Sequence, residues 1–463
     1  MDTSIMSNIE NCVITRQKDN GACLDELMVV QYLQDNIDLV TIPTTGMLWW
    51  YDKGVYRKDG IIKVGQVLKE AFGDVTGPGH KLLLTEKLEK HIIYSLLHRR
   101  DVMPEDFDSN KDIINMRNGL YNFRTKEFKP HDTRLPTASH PRYLSMVQIP
   151  VDYKPGAECV NFKKSMAAVF TTPGDLLKIR EFIAYCLYND YSIQKAFILY
   201  GPADKGKSFI IDHIVQFLGI NNCSVVSIKK LCHNNFAGSE LLGKLMNTSG
   251  ELDKGSVKNL SEFKTAIGGT DQMRVEAKGK DAVYFRNRAK FIFGTNSIFS
   301  SEDESDGFMR RFEIIKTRIE DLPAGLPTEA MISTDEEMSG LFNYVIDLLE
   351  PLINRRKFSN QLSKLEITQD FTRMGKSIES FVEDNVEPGH DRQVITVDDL
   401  WTRYVEYCDG HGIYEHPRKW NFLRAVQRFL PDSHYEDGQK HSRSKKEKCL
   451  IGYRFKDNEW SGL

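Results

Sequence analysis

The stretch LYGPADKGKSFIIDHI, residues 199–214, leaves a chain few ways to fold around it. Gly201, four further residues and then Gly206, Lys207 and Ser208 have the spacing at which a turn between a strand and a helix wraps its N–H groups around a phosphate. The glycines let the backbone turn inward, Lys207 brings a point charge to the β and γ phosphates, and the Ser208 hydroxyl can join a Mg²⁺ shell. Lys195-Ala-Phe-Ile-Leu-Tyr200 predicts a short apolar strand. Phe209, Ile210, Ile214 and Phe217 then recur at helical spacing until Gly219 ends the run. The helix start adds its positive dipole end. Gly201, Pro202, Ala203, Asp204, Lys205, Gly206, Lys207, Ser208 and Phe209 are thus expected to bind a nucleoside triphosphate, with Ser208 also on Mg²⁺.

A chain of 463 residues has room for two to four such domains. Its 40% apolar and 27% charged residues mark a globular protein. The net charge of −3 supplies no whole-molecule field for nucleic acid, so any such binding must come from local basic patches. Eight scattered cysteines without a close CxxC pair read as reduced thiols, not as a zinc cluster or disulfide frame. No run approaches the length of a membrane span and the N-terminus does not read as a secretory signal, so a cytoplasmic protein with no membrane partner is expected.

Turn clusters divide the chain. GMLWWYDKGVYRKDG alternates aromatic residues around Asp52-Lys53-Gly54 and predicts a β-hairpin, and residues 114–132 predict two short strands. Residues 1–175 are expected to form an α+β domain, 176–325 an α/β domain in which strands and helices alternate, 326–375 a helical lid or linker, and 376–463 a smaller unit with a basic tail.

Triphosphate hydrolysis needs a carboxylate at the end of a neighbouring strand, and KLMNTSGELDKG supplies Glu251 and Asp253, Glu251 being also a Mg²⁺ candidate. AKFIFGTN is a strongly apolar strand ending in Asn296, whose amide can orient the lytic water and sense the γ phosphate. Between them, Val275-Glu276-Ala277 and Ala282-Val283-Tyr284-Phe285 predict a hairpin with Lys278 and Lys280 at its tip, suited to phosphate backbone contact. Arg310 and Arg311 precede a strand-like run and are candidates for an arginine finger toward a neighbouring subunit.

This order of motifs, GPADKGKS, GELD, LSEFKTAIGGTDQMRVEAKGKDAVYF, FIFGTN and GFMRRFEII, resembles the superfamily 3 helicases, specifically the primase-helicase group of poxviruses, phages and mobile plasmids. MRNGLYNFRTKEFKPHD and LWWYDKGVYRKDG are similar to the domain this group carries before its ATPase. The resemblance implies an AAA+-like P-loop ATPase core, hexameric rings and single-stranded DNA in the central pore. It implies a viral, phage or mobile-element helicase in the host cytoplasm, acting on single-stranded and forked DNA. The residues before the aromatic hairpin are too few for a primase module, so a separate primase or polymerase is the expected partner. Which of Glu251 and Asp253, and which of Arg310 and Arg311, is the main catalytic residue stays open.

From Pro417 to Cys449 nine Lys or Arg face four acids. Two helices followed by HSRSKKEKCLIGYRF predict a winged-helix DNA-binding domain with Lys440, Arg443, Lys445 and Lys446 on the DNA. Two rival functions use the same motifs: an ATP-switched origin-binding initiator without unwinding activity, and a packaging or remodelling ATPase acting on protein.

Overall fold

In the computed structural model the described residues are 9, 11–15, 21–42, 46–77, 80–98, 100–132, 142–234, 236–249, 260–269, 271–277, 280–298, 306–390, 393–414, 416–430, 435–438 and 447–456. The first third mixes short antiparallel strands with the helices Glu26–Asn36, Gly60–Phe72 and Glu86–Leu96. β1 (Val13–Thr15) pairs with β2 (Ala22–Leu24), and β3 (Leu39–Ile42), β4 (Met47–Asp52) and β5 (Val55–Arg57) form a three-stranded sheet. The hairpin expected at Asp52-Lys53-Gly54 joins β4 to β5. Lys53 and Gly54 take φ of 46° and 109°, the left-handed pair that fits a two-residue turn to the strand twist.

Residues 113–130 hold three strands where two were expected: β6 (Ile113–Met116), β7 (Gly119–Asn122) and β8 (Phe128–Pro130). The turn between β6 and β7 is Arg117-Asn118, and Gly119 opens β7. Asn118 anchors that turn by accepting from Tyr153 N–H at 2.9 Å and donating to its carbonyl at 3.1 Å, which leaves Gly119 to pair with Met116. The helix Val160–Val169 follows, its first N–H groups capped by the buried Glu337 carboxylate, which accepts from Asn161 at 2.9 Å and Phe162 at 3.1 Å. Glu337 belongs to the helix Asp335–Ile346, so the segment after the α/β domain returns to pack on the helix pair before it.

The central element is a five-stranded, all-parallel sheet in the order β10, β11, β14, β9, β15: Cys223–Ser224, Met246–Ser249, Lys290–Thr295, Ala196–Tyr200 and Phe312–Lys316. Both faces are covered, as parallel sheets require. Ile198, Tyr200, Phe291, Phe293 and Ile314 enter one core with Phe263 of the helix Ser261–Gly268. Phe197, Leu199, Ile292 and Ile315 enter the other with Ile210 and Phe217 of the helix Lys207–Leu218. β11 is polar for a central strand because Asn247 stitches it to the β10 side. Its amide oxygen accepts from Ser224 Oγ at 2.8 Å and Val226 N–H at 2.9 Å, and its nitrogen donates to Val226 O at 2.9 Å. At the β15 edge the fully buried Glu313 meets Lys178 at 2.8 Å and Lys195 at 3.4 Å.

β12 (Met273–Ala277) and β13 (Lys280–Phe285) pair antiparallel, forming the hairpin expected before β14. The C-terminal unit runs helix Ser377–Asn385, β16 (Val386–Pro388), β17 (Val394–Thr396), helices Val397–Gly410 and Lys419–Phe429, then β18 (Tyr435–Gly438), β19 (Glu447–Ile451) and β20 (Tyr453–Phe455). β17, β19 and β18 make one sheet in that order, and β16 pairs with β20. This unit shares a core with the parallel sheet. Tyr200, the last residue of β9, donates its hydroxyl to Gly412 O at 2.7 Å and lies 5.1 Å from the Tyr414 ring.

Candidate active site

Every strand of the parallel sheet ends on the same side, and there β9 gives way to the turn 201–206 and the helix Lys207–Leu218. Gly206, the residue before that helix, has φ of 85°, and a Cβ on it would lie 2.6 Å from Val169 Cγ2. Only glycine combines that left-handed turn with so close a neighbour. Asp204 also sits at positive φ, 59°. The turn thus reverses direction twice within three residues and points the helix start into a cavity of about 840 Å³.

Of the expected nucleotide-binding residues, Ala203, Asp204, Gly206, Lys207, Ser208 and Phe209 line that cavity. Gly201, Pro202 and Lys205 complete the turn without lining it; Lys205 pairs instead with Asp321. Lys207 is buried, and its ammonium donates to the carbonyls of Gly201, at 2.8 Å, and Pro202. Burial holds that ammonium below the usual lysine range, partly opposed by Asp204. The Phe209 ring turns toward His213, 5.3 Å away, and His213 stacks in turn on Phe162.

Asn296 also lines the cavity, just past the end of β14, the strand adjacent to β9. Thr295 positions it: its hydroxyl accepts from Ser297 N–H at 3.2 Å and donates to Ser297 O at 2.5 Å. Glu251 and Asp253 lie outside the described residues. The strand before them, β11, reaches the site through Thr248, which lines the cavity.

Several lining residues carry no signal that the motifs contain. Asp212 stands one helical turn beyond Ser208, a spacing that a search for paired polar groups would have found. Val169, Leu322, Leu326 and Pro327 form an apolar wall from segments far from the turn in sequence, which carry no motif. Among the described residues no cluster of three or more His, Cys, Asp or Glu could hold a metal ion.

The remaining expected residues stand elsewhere. Arg310 and Arg311 precede β15, which runs parallel to β9 from Phe312 beside Ala196 to Lys316 beside Tyr200. At about 3.3 Å per residue Arg311 lies roughly 15 Å back along the strand from the cavity end, too far to reach its own site. Burial, then Arg310, lowers the Arg311 pKa, while Asp271 opposes the shift. The β12–β13 hairpin leaves from that same far end, since residues 286–289 join β13 to the start of β14. Lys280 opens β13 in register with Ala277, whereas Lys278 lies outside the described residues, as do Lys440, Arg443, Lys445 and Lys446 between β18 and β19.

Residues 28–171 match the family described as D5 N terminal like, and residues 199–311 match a family of unknown function, DUF5906. The second match begins one residue before the end of β9 and ends at Arg311. Among solved structures the chain is similar to the A form apo structure of the NrS-1 C terminal region (305–718), at 12% identity, TM-score 0.45, over 92% of this chain and 100% of that one. A second apo structure of the same region gives 13% identity and a TM-score of 0.47 over 92% of this chain and 99% of that one. No curated protein matches the chain. No helix among the described residues is long and apolar enough to cross a membrane.

Proposed function

We propose that this chain is an ATP-driven DNA helicase of the superfamily 3 primase-helicase group, a replication protein of a virus, phage or mobile element that works as a hexameric ring on single-stranded DNA. The observation that carries the reading is the division of labour along one strand. β14 ends one residue before Asn296 in the cavity and begins where the β12–β13 hairpin is rooted, so a single buried strand links the two ends. The D5 N terminal like match over residues 28–171 supports it.

The cavity fits a nucleoside triphosphate. Its buried ammonium, exposed Ser208 and helix N-terminus converge where phosphates would lie, and the wall of Val169, Leu322, Leu326 and Pro327 suits a base. Bound ATP with Mg²⁺ supplies the phosphoryl group that is transferred to water. Lys207 would bind phosphate, Ser208 and Glu251 would hold the metal, Glu251 or Asp253 would polarise water, and Asn296 would orient it. Arg310 or Arg311 completes the site of a neighbouring subunit, a role consistent with its distance from its own cavity.

Lys278 and Lys280 grip the strand. We read the C-terminal unit, which runs helix, two strands, two helices and three strands, as a winged helix, with Lys440, Arg443, Lys445 and Lys446 assigned to its wing. In support, the Lys419–Phe429 helix exposes Trp420, Asn421, Arg424, Gln427 and Arg428 along one face without an acid, with the Arg424 guanidinium 3.7 Å over the Trp420 ring. Strand displacement on forked DNA, with ATP turnover followed in parallel, tests the proposal. Unwinding coupled to hydrolysis is expected; hydrolysis without displacement, or displacement without ATP, overturns it.

A further inference from the structure

The end of the sheet opposite the nucleotide turn carries a second cavity, of about 330 Å³. It lies between residues 104–109 and 146–147 of the N-terminal part, the turn 241–244, and the root of the β12–β13 hairpin. Lys244, Arg286 and Arg288 line it, together with the acids Glu105 and Asp108. Among the described residues no carboxylate forms an ion pair with any of the three cations. Asp108 is engaged on its own side of the cavity, where its oxygens accept from the Ser145 hydroxyl and from Met146 N–H, the latter at 3.0 Å, and burial pushes its carboxyl up to about 6.

The hydrogen bonds of Lys244 and Arg288 all go to carbonyls, and Arg288 also lies within electrostatic reach of the Asp108 carboxyl, where it opposes the effect of burial. Arg288 Nη1 donates to the carbonyls of Phe107 at 3.3 Å and Asp108 at 3.5 Å, which occupies one of its three guanidinium nitrogens. Half-buried Lys244 donates to Asn221 O at 2.5 Å, and burial, with Lys58 nearby, holds its ammonium below the usual lysine range. Arg286 is exposed and directly follows the last residue of β13. Cations gathered in a partly desolvated recess without an ion-pair partner are stabilised by an incoming anion. The recess is within the range of ligand pockets and large enough for a sugar with its phosphate.

We infer that this cavity is a second grip on the translocated strand, in which Lys244, Arg286 and Arg288 hold a phosphodiester of single-stranded DNA as it passes the root of the hairpin. The inference rests on the nucleic-acid reading of the hairpin and adds a site to it. The interaction is with phosphate, so it is indifferent to base identity and sensitive to salt.

The test is fluorescence anisotropy of a labelled oligothymidylate on the full chain without nucleotide, titrated over a range of salt. For Lys244→Gln/Arg286→Gln we expect affinity at low salt to fall about tenfold. The slope of log affinity against log salt should shrink by about 1.4, or about 0.7 for each single-strand phosphate that is no longer neutralised. Exposed Arg286→Gln alone, whose thermal melt should match that of the parent, should lose about half of that slope. A parent that does not bind the oligonucleotide overturns both the inference and the nucleic-acid reading. A parent that binds, with variants of unchanged affinity and slope, overturns the second grip alone and leaves the motor reading standing.

Discussion

Lys207 illustrates how one side chain can be fully engaged and still be poised for a ligand. Its ammonium is satisfied by two carbonyls of its own turn, which keeps a buried charge tolerable, and those bonds can be exchanged for charge-assisted bonds to phosphate, which are stronger. Lys207→Ala should cut ATP turnover by roughly 10²-fold or more, since one preorganised charge at the reacting group is commonly worth that much. Its melting curve should stay close to the parent's, because the turn takes its shape from Gly206 and Asp204. A steady-state phosphate-release assay reads the first effect and calorimetry the second.

Lys290 is the opposite case, a lysine buried at the start of β14 with no carboxylate among its described hydrogen-bond partners. Its ammonium donates to Tyr188 O and lies 4.8 Å from the Tyr185 ring, and burial pulls its pKa down to about 7. The unfolded chain therefore binds more protons at this residue than the folded one between about pH 7 and the ordinary lysine value near 10.4. The penalty is full below pH 7 and is relieved as the pH rises through that window, so this residue makes stability increase with pH there. Lys290→Met should flatten that part of the profile relative to the parent, as read from thermal melts between about pH 7 and pH 9.5. Parallel profiles for the two proteins would show that the ammonium is solvated in the folded state.

At the scale of elements, what the sequence made legible was whatever is specified within about twenty residues. The strand, turn and helix from Lys195 to Gly219 follow from apolar spacing and two glycines, and the structure has them at Ala196–Tyr200 and Lys207–Leu218. The aromatic hairpin at Lys53-Gly54 and the pairing of β12 with β13 were legible for the same reason. Residues 113–130 were misread because Asn118 spends its side chain on Tyr153, a partner beyond the reach of local turn preferences. The polarity of β11 looked like a weakness in a central strand, yet Asn247 makes three hydrogen bonds that hold β10 in the sheet. Asn247→Ala would leave Ser224 and both backbone groups of Val226 without those partners. Buried groups left unpaired are expected to cost about 2–4 kcal/mol. Chemical denaturation should show that loss, and a variant within about 0.5 kcal/mol of the parent would mean water replaces the amide.

At the scale of the whole molecule, the turn 201–206 and the Arg310-Arg311 pair stand at opposite ends of one sheet, so on the proposed mechanism a complete catalytic site requires two copies of the chain. An Arg310→Ala/Arg311→Ala variant and a Lys207→Ala variant, each inactive alone, should recover part of the ATPase activity when mixed, since some interfaces then combine an intact turn with intact arginines. No recovery at any mixing ratio would count against a site shared between subunits. The cavity end of the sheet is also tied to the C-terminal unit, because Tyr200, one residue before the turn, bonds Gly412 and packs against the tilted Tyr414 ring.

The sequence by itself determined the glycine-framed turn after β9, the apolar strand and helix on either side of it, and the β12–β13 hairpin, since each depends on contacts among near neighbours. Only the tertiary structure decided that β14 lies between β9 and β11, and that Asn296 and Thr248 therefore meet at one cavity. It also decided that an apolar wall from residues 322–327 closes that cavity, and that the cations of 244–288 gather at the far end. Strand order and cavity walls come from burying two faces of one sheet at once. That is a constraint on pairs of residues up to a hundred or more positions apart, and no local pattern of residue types encodes it.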